Sequence, residues 1–440
     1  MTAKPKIAFI GLGAMGLGMA LHLLEDGYTV SGFDVNPTSL QTLKAKGGIA
    51  SSSPRECAAD ASFLICMVAK AAQTDEILFA DSTGAAFGLQ RNATVILCST
   101  VPPAFPATVA ERFRVGFARP DIRVVDCPVS GGTVRAAQGT LTILCSGSPE
   151  ALELSEPILA SLSETRYIIA GGLGSANRVK LVNQHLAGVH IAAAAEAMGL
   201  VASLGLNTQA FHDEVLGSKA TSWMFENRVP HMLADDWTPH SALGIFVKDM
   251  GIVTTEGLNQ NIPLWLASSA EQLYLLGAQM GYDREDDSGV VRVFAPKSPS
   301  LVSTLTQTAR NPGDTKMFEH VKGMLEIVHT VAAIEALALG ESLGLSVGEL
   351  VSIIANAAGA SEAFRAVAPL VVAGDFKSGP TIVETRERLV RPPSRLKIDN
   401  ADICGVERDY LDSEKAPLPT PPRRNSPNPV RPGSCPGSRK

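Results

Sequence analysis

The sequence predicts a doubly wound, mostly parallel α/β domain followed by an all-α domain, then a second, incomplete copy of the all-α domain and a disordered tail. Three observations predict it. Apolar runs of strand length alternate with helix-like stretches from the first residues to about residue 170. The alternation stops near Gly171-Gly-Leu-Gly174, and helical patterning runs from there to about residue 295. A segment of that helical region then recurs at a constant offset of 139 residues.

The opening element is Lys6-Ile-Ala-Phe-Ile followed by Gly11-Leu-Gly13-Ala-Met-Gly16, which reads as strand, glycine turn, helix. A second apolar run, Tyr28-Thr-Val30-Ser-Gly-Phe33, ends at Asp34, the acid expected about 20 residues after such a turn. Gly11 permits the turn, Gly13 lets backbone N–H groups approach a pyrophosphate at a helix N-terminus, and Gly16 allows close packing of helix on strand. Gly11, Gly13, Ala14, Met15, Gly16 and Asp34 are therefore the expected contacts of a Rossmann-type dinucleotide site. A carboxylate at the end of the second strand suits two ribose hydroxyls and repels the extra phosphate of NADP. Val35, Asn36 and Pro37 follow it, so no arginine stands ready for that phosphate. The expected cofactor is NAD.

Four further runs carry the alternation: Ala61-Ser-Phe-Leu-Ile-Cys-Met-Val68, Thr94-Val-Ile-Leu-Cys-Ser-Thr100, Ile122-Arg-Val-Val-Asp126 and Leu141-Thr-Ile-Leu-Cys145. Ligands of open α/β sheets sit beyond the carboxyl ends of the strands. That nominates Val68 to Gln73, Ser99 to Pro102, and Asp126-Cys-Pro-Val-Ser130-Gly131-Gly132. Ser130, Gly131 and Gly132 bare successive N–H groups that can hold a carboxylate, although the same residues suit a plain turn.

At 440 residues the chain has room for two to three domains and large cores. Its net charge of −6 gives no reason to expect a nucleic-acid partner. Mean hydropathy is +0.14, raised by alanine and glycine, and no wholly apolar run reaches the roughly 18 residues of a membrane span. The first strand begins too early to leave room for a transit peptide. The expectation is a soluble, cytoplasmic protein with no membrane partner. Seven cysteines without a C-x-x-C pair read as reduced thiols, most of them packed in strands. Cys127 sits beside a strand end, but no histidine lies near it in sequence, so it too reads as a packed thiol. Eight histidines show no metal-ligand spacing, and no metal site is expected.

The first helix after Gly174 carries Arg178-Val-Lys180-Leu-Val-Asn183-Gln184 and runs through His185-Leu-Ala-Gly-Val-His190 into an alanine-rich stretch. Lys180, Asn183 and Gln184 stand at i, i+3 and i+4 and share one face. The helix is apolar almost all round, so it is expected to be buried, and a lysine on it needs a reason. Read alone, Lys180 would be a helix-end charge.

These motifs together resemble the β-hydroxyacid dehydrogenases, relatives of 3-hydroxyisobutyrate and 6-phosphogluconate dehydrogenases. The resemblance rests on Gly11-x-Gly13-x-x-Gly16, on Asp126 to Gly132 with Gly139-Thr-Leu-Thr, on Lys180-Leu-Val-Asn183-Gln184 and on Lys248-Asp249-Met-Gly, and covers residues 5 to about 297 in the family's order. Three stretches are similar to the L-threonate dehydrogenases within it: Asn183 to Ala197, Ser222-Trp-Met-Phe-Glu-Asn-Arg, and Tyr282 to Ser288. The resemblance implies NAD-dependent oxidation of a small hydroxy acid, L-threonate or a similar sugar acid. The alternatives are a 3-hydroxyisobutyrate or tartronate-semialdehyde type of substrate. It implies Lys180 as general acid/base, Ser130, Gly131 and Gly132 as carboxylate holders and Asn183 as the group that orients the reacting oxygen. Val68, Thr100 and Lys248 are implied as further cofactor contacts. Gln184 departs from the asparagine common in the family, and its longer amide could reach hydroxyls of a polyhydroxy acid. A lysine titrates near about 10.4, so base work near neutrality requires burial or a neighbouring cation. A competing reading, a dinucleotide-binding interaction module, is disfavoured by the presence of Lys180, which non-catalytic relatives lose.

Residues 186–206 and 325–345 share 12 of 21 residues, among them Leu186/Leu325, His190/His329, Glu196/Glu335 and the run Ser203-Leu-Gly-Leu206/Ser342-Leu-Gly-Leu345. The offset sets Lys322 opposite Asn183 and Glu387 opposite Lys248. The copy therefore reads as non-catalytic, with Lys322 a solvated helix charge. The expected bounds are 1–170 for the NAD-binding domain, 171–297 for the all-α domain, 298–313 for a linker, 314–379 for the second copy and 380–440 for a Pro-, Arg- and Ser-rich disordered tail. Association through the helical domains implies a homo-oligomer or an intramolecular pseudo-dimer.

Overall fold

The structure, a computed structural model, describes residues 4–311 and 313–375. The expected tail and Glu387 lie outside the described residues. The first part of the chain runs β1 (Lys6–Ile10), α1 (Gly16–Glu25), β2 (Thr29–Phe33), α2 (Pro37–Ala45), β3 (Ile49–Ala50), α3 (Pro54–Ala58), β4 (Phe63–Cys66), α4 (Ala71–Phe79), β5 (Thr94–Leu97) and α5 (Phe105–Glu111). It continues through β6 (Arg123–Asp126), β7 (Val129–Ser130), α6 (Gly132–Gln138), β8 (Leu141–Gly147), α7 (Pro149–Leu162) and β9 (Ser163–Ile168).

The sheet order is β3-β2-β1-β4-β5-β6-β8-β7, with β9 paired to β8. The first six strands are parallel, whereas β8 runs antiparallel to β6 and β7. The order reverses between β1 and β4, which is where a doubly wound sheet binds a dinucleotide. Parallel strands are covered on both faces and so read as unbroken apolar runs. Ile7, Phe9, Ile65, Ile96 and Val125 enter one core with α1 and α7. Ala8, Ile10, Leu64, Cys66, Val95, Leu97 and Val124 enter the other, on the opposite face.

The rest of the described chain is helical: α8 (Ser175–Ser203), α9 (Thr208–Val215), α10 (Trp223–Ala234), α11 (Leu243–Asn259), α12 (Trp265–Gln279), a 3-10 stretch at Asp287–Phe294, α13 (Leu301–Thr304), α14 (Asp314–Ser342), α15 (Val347–Ile354) and α16 (Glu362–Ala373). One hydrophobic core gathers residues from α8 to α12 and from α14 to α16. By length and composition alone α8 and α14 could each cross a membrane; here 83% of the most apolar window of α8 and 50% of that of α14 are buried inside the fold.

The helix ends follow from local chemistry. Asn207 and Ser222 cap α9 and α10, and Ser346 and Ser361 cap α15 and α16, by accepting from the N–H three residues on. Helices α8 and α14 both stop at a Leu-Gly pair, with Gly205 at φ +68° and Gly344 at φ +76° in the left-handed conformation that glycine adopts without strain. The stretch expected to be a linker is strapped to α9: Thr208 Oγ1 donates to Val302 O at 2.7 Å and Asn207 Nδ2 to Thr308 O at 2.6 Å.

Candidate active site

The dinucleotide cradle forms where β1 meets α1. Gly11 lies at φ +95°, and a Cβ on it would stand 2.3 Å from Met67 O; a Cβ on Gly16 would stand 1.9 Å from Gly11 O. Both positions need hydrogen for the backbone to close up. Gly13 is different, because a Cβ there meets nothing within 4 Å. Its bare face opens outward, as a surface for a pyrophosphate requires, and Ala14 and Met15 lead from it into the N-terminus of α1. Asp34 is drawn into this turn: Leu12 N donates to its Oδ2 at 2.6 Å and Asn36 N to its Oδ1 at 2.7 Å. No lysine or arginine pairs with Asp34 among the described residues. Val68 lines the turn from the end of β4, its Cγ1 2.9 Å from where a Cβ on Gly11 would be. These residues fit a dinucleotide.

Helix α8 is locked onto the carboxyl end of the sheet. Asn177 Nδ2 donates to Asp126 Oδ1 at 2.5 Å, Asn177 N to Asp126 Oδ2 at 3.1 Å, and Val101 N donates to Asn177 Oδ1 at 3.0 Å. Ser146 Oγ joins Asp126 Oδ2 at 3.2 Å and accepts from Ala176 N at 3.0 Å. Burial pushes the Asp126 carboxyl up to about 6, against the hydrogen bonds from Asn177 and Ser146 that pull it down. Asn177, Asp126 and Ser146 thus fix how far the lysine one turn along α8 reaches over the sheet. Sequence reasoning missed this lock.

Lys180 is 7% exposed. Its Nζ makes no hydrogen bond or ion pair among the described residues, although Asp249 and Lys248 lie close enough to act on its charge. Burial lowers its pKa to about 8; the Asp249 carboxylate opposes the shift and Lys248 adds to it. The other polar side chains of the face are engaged. Asn183 Nδ2 donates to Gln184 Oε1 at 3.1 Å, and Gln184 Nε2 donates to Asp249 Oδ2 at 2.6 Å. Lys248 Nζ lies 2.8 Å from Asp249 Oδ1 and donates to Thr100 O at 2.9 Å, across to the sheet domain. Lys180, Asn183, Gln184, Thr100 and Lys248 are therefore brought into one connected group around Asp249. Gln184, expected as a reach toward substrate hydroxyls, has its oxygen on Asn183 and its nitrogen on Asp249.

Ser130, Gly131 and Gly132 form the turn from β7 into α6, with Gly131 at φ +140° and Gly132 at φ +71°. A Cβ on Gly132 meets nothing within 4 Å, so this backbone face is open. The turn makes no hydrogen bond to α8 among the described residues; Asp126, just upstream, makes that connection. Cys57, Cys66, Cys98, Cys127 and Cys145 are all free and buried. The Cys127 thiol is held well above the usual thiol range by its hydrogen bond with Cys145 and by burial, which suits a packed thiol and not a nucleophile. Cys404 and Cys435 lie outside the described residues. No cluster of three or more His, Cys, Asp or Glu side chains is placed to hold a metal ion among the described residues.

The second helical unit has a different face. Glu319 occupies the position 139 residues after Lys180 and is exposed. Lys322 is not a solvated charge: it pairs with Glu319 at 2.5 Å and lies 3.6 Å from Glu214, its side chain 15% exposed. The unit nevertheless touches the cleft, because Gly359 N donates to Asn183 Oδ1 at 2.9 Å. No sequence pattern marks this contact, since the repeat sets Ala220 opposite Gly359.

A dinucleotide cradle and a buried, unpaired lysine on one chain are the parts that a nicotinamide-dependent oxidoreductase needs. Residues 6–171 match the family model described as the NAD binding domain of 6-phosphogluconate dehydrogenase, and residues 174–294 match that described as NAD-binding of NADP-dependent 3-hydroxyisobutyrate dehydrogenase. The chain is 42% identical to L-threonate dehydrogenase of Cupriavidus necator over 66% of its own length and 95% of the relative's. It is 39% identical to L-threonate dehydrogenase of Escherichia coli over 66% of its length and 94% of the relative's. A solved structure, 3-hydroxyisobutyrate dehydrogenase from Salmonella typhimurium, superposes with a TM-score of 0.61 at 38% identity, covering 66% of this chain and all of that one. The chain belongs to the β-hydroxyacid dehydrogenase family related to 3-hydroxyisobutyrate dehydrogenase and is an NAD-binding oxidoreductase. Helices α13 to α16 lie beyond the residues that the family models match.

Proposed function

We propose that this chain oxidises the alcohol of L-threonate or a similar four-carbon sugar acid to the oxo acid, with NAD in preference to NADP. The observation that carries the chemistry is Lys180: a buried amine, free of protein hydrogen bonds, whose pKa is lowered to about 8. In its neutral form Nζ takes the hydroxyl proton as the C–O bond becomes a carbonyl, and in the reverse direction the ammonium returns it. NAD, when bound, would supply the hydride acceptor for the same carbon. Gly11, Gly13, Ala14, Met15, Gly16 and Asp34 would hold the dinucleotide, with Val68, Thr100 and Lys248 at the cleft. The Asp34 carboxylate, without a cationic partner, favours ribose hydroxyls over a 2′-phosphate. Asn183 uses one amide N–H on Gln184 and keeps the other for the reacting oxygen. The open backbone of Ser130, Gly131 and Gly132 would take the substrate carboxylate.

The threonate reading draws support from relatives 37 to 42% identical that carry that name. The 38% identical solved structure named 3-hydroxyisobutyrate dehydrogenase supports the second reading, a branched four-carbon acid with a single hydroxyl. The test is nicotinamide absorbance with the purified protein, NAD or NADP, and L-threonate, D-threonate, 3-hydroxyisobutyrate or glycerate. Turnover with NAD and L-threonate is expected. A higher kcat/KM for 3-hydroxyisobutyrate would replace the substrate, and a preference for NADP would refute the role given to Asp34.

A further inference from the structure

Helices α8, α9 and α10 and helices α14, α15 and α16 begin and end at residues 139 apart, at all six ends. Three contacts between the two sets obey the same rule. His190 and His329, which the offset relates, touch each other with ring centroids 4.3 Å apart. Ser222 and Ser361, also so related, form an antiparallel bridge. Trp223 N donates to Ala360 O at 2.9 Å and Glu362 N donates to Thr221 O at 3.2 Å, and adding 139 to each residue of one bond and subtracting it from its partner gives the other. When residue i meets j and the equivalent of j meets the equivalent of i, the contact is isologous, the form in which two copies of one domain meet about a two-fold axis.

We propose that α14 to α16 stand where a second subunit's helical domain would dock, within one chain, and that they complete the substrate cleft by holding Asn183 through the Gly359 N–H. The inference rests on the role given to Asn183 under the proposed function. The Gly359–Asn183 contact departs from the two-fold symmetry, because its mirror image would join Ala220 to Lys322, and Lys322 is turned to Glu319 and Glu214 instead. One hydrogen-bonded series therefore runs from the second unit into the site: Gly359 N to Asn183 Oδ1, Asn183 Nδ2 to Gln184 Oε1, Gln184 Nε2 to Asp249 Oδ2. Gly359 fixes which way the Asn183 amide faces, with its nitrogen toward Gln184 and the remaining N–H toward the substrate oxygen. The fit is close. A Cβ on Gly359 would lie 3.0 Å from Leu186 Cβ and 3.1 Å from Asn183 Oδ1. Gly359 is thus a positioning residue acting through Asn183.

Two measurements on the full chain test the two halves of the proposal. Directly opposed residues of an antiparallel pair have Cα atoms about 4.5–5.5 Å apart, within reach of a disulfide. The double variant Ser222→Cys/Ser361→Cys, in a Cys404→Ser/Cys435→Ser background, is expected on oxidation to form a disulfide within a single 46.2 kDa chain, seen on a non-reducing gel and by peptide mass. A disulfide joining two chains, or none, overturns docking in cis. This reading needs no activity, so it stands apart from the proposed reaction. For the positioning role, Gly359→Ala is expected to lower kcat roughly tenfold with NAD affinity unchanged. In an Asn183→Ala background the same change should cost almost nothing further, because the group it acts through is gone. An equal loss in both backgrounds, or no loss in the parent, overturns the role. A parent that oxidises none of the hydroxy acids would instead refute the proposed reaction.

Discussion

Helices α8 and α14 are both 29 residues long and end in the same glycine turn, yet one carries the candidate site and the other does not. The difference is confined to their first halves. From residue 186 onward α8 matches α14 closely, and residues of both matching stretches pack into the shared core. Before residue 186 the helices part: Lys180, Asn183 and Gln184 on α8 correspond to Glu319, Lys322 and Gly323 on α14. The physical reason is what each first half faces. That of α8 is buried against the ends of the sheet strands through Asn177 and Asp126, and burial is what lowers the Lys180 pKa. No sheet domain precedes α14, so Glu319 is exposed and Lys322 is neutralised by carboxylates. A lysine can be a base here only where the fold removes it from water.

The largest expected effect breaks the comparison directly. Lys180→Ala should lower kcat by about 10²- to 10⁴-fold, with NAD binding retained in a fluorescence titration. Lys322→Ala should leave kcat within about twofold of the parent, since its partners Glu214 and Glu319 make no hydrogen bond or ion pair with Lys180, Asn183, Gln184 or Lys248 among the described residues. Comparable losses in the two variants would show that α14 is not the chemically silent member of the pair.

A second effect sharpens it through pH. With the Lys180 pKa at about 8, the neutral amine required for oxidation increases tenfold per pH unit below that value and levels off above it. The kcat/KM for oxidation should therefore climb toward a knee near pH 8, and that for reduction of the oxo acid, which needs the ammonium, should fall through the same knee. Asp249 raises the Lys180 pKa, so Asp249→Asn should move the knee to lower pH. A knee near the ordinary lysine value of about 10.4 would mean that burial is not what tunes the amine.

Much of this was legible in the sequence, and what was not has a common cause. The buried parallel strands announced themselves as unbroken apolar runs, and the glycine turn, Asp34 and the i, i+3, i+4 face of α8 are local patterns. Strands β3 and β7 are two residues each, too short to carry a period. The Asp126–Asn177 lock joins residues 51 apart, and the Gly359–Asn183 contact joins residues 176 apart. No local pattern encodes such pairs; they exist only once the helices have packed. The ties of the expected linker were hidden for the same reason, because Val302 and Thr308 accept from Thr208 and Asn207, which the linker's own composition does not reveal.

The smallest effect concerns a residue that the repeat leaves identical. Glu196 and Glu335 occupy equivalent positions, but Glu196 is exposed, whereas Glu335 is buried and reaches across to α12. Its Oε1 accepts from Leu266 N at 3.1 Å in the first turn of that helix, and its Oε2 lies 3.2 Å from His185 Nε2. A carboxylate at a helix N-terminus stabilises the unpaired N–H groups there and the positive end of the dipole. Burial works against it, raising the Glu335 carboxyl above its ordinary range and holding His185 down to about 4. Each group is thus pushed toward its neutral form, so the pair contributes as a hydrogen bond more than as an ion pair. Glu335→Gln, which keeps the shape and removes the charge, should therefore cost about 1–2 kcal/mol, and Glu196→Gln less than about 0.5 kcal/mol. Thermal unfolding should show the first as a drop of a few degrees and the second as none. Equal midpoints would mean that the second helical unit is held on α12 by apolar packing alone, and that the glutamate common to both helices has no structural task in either.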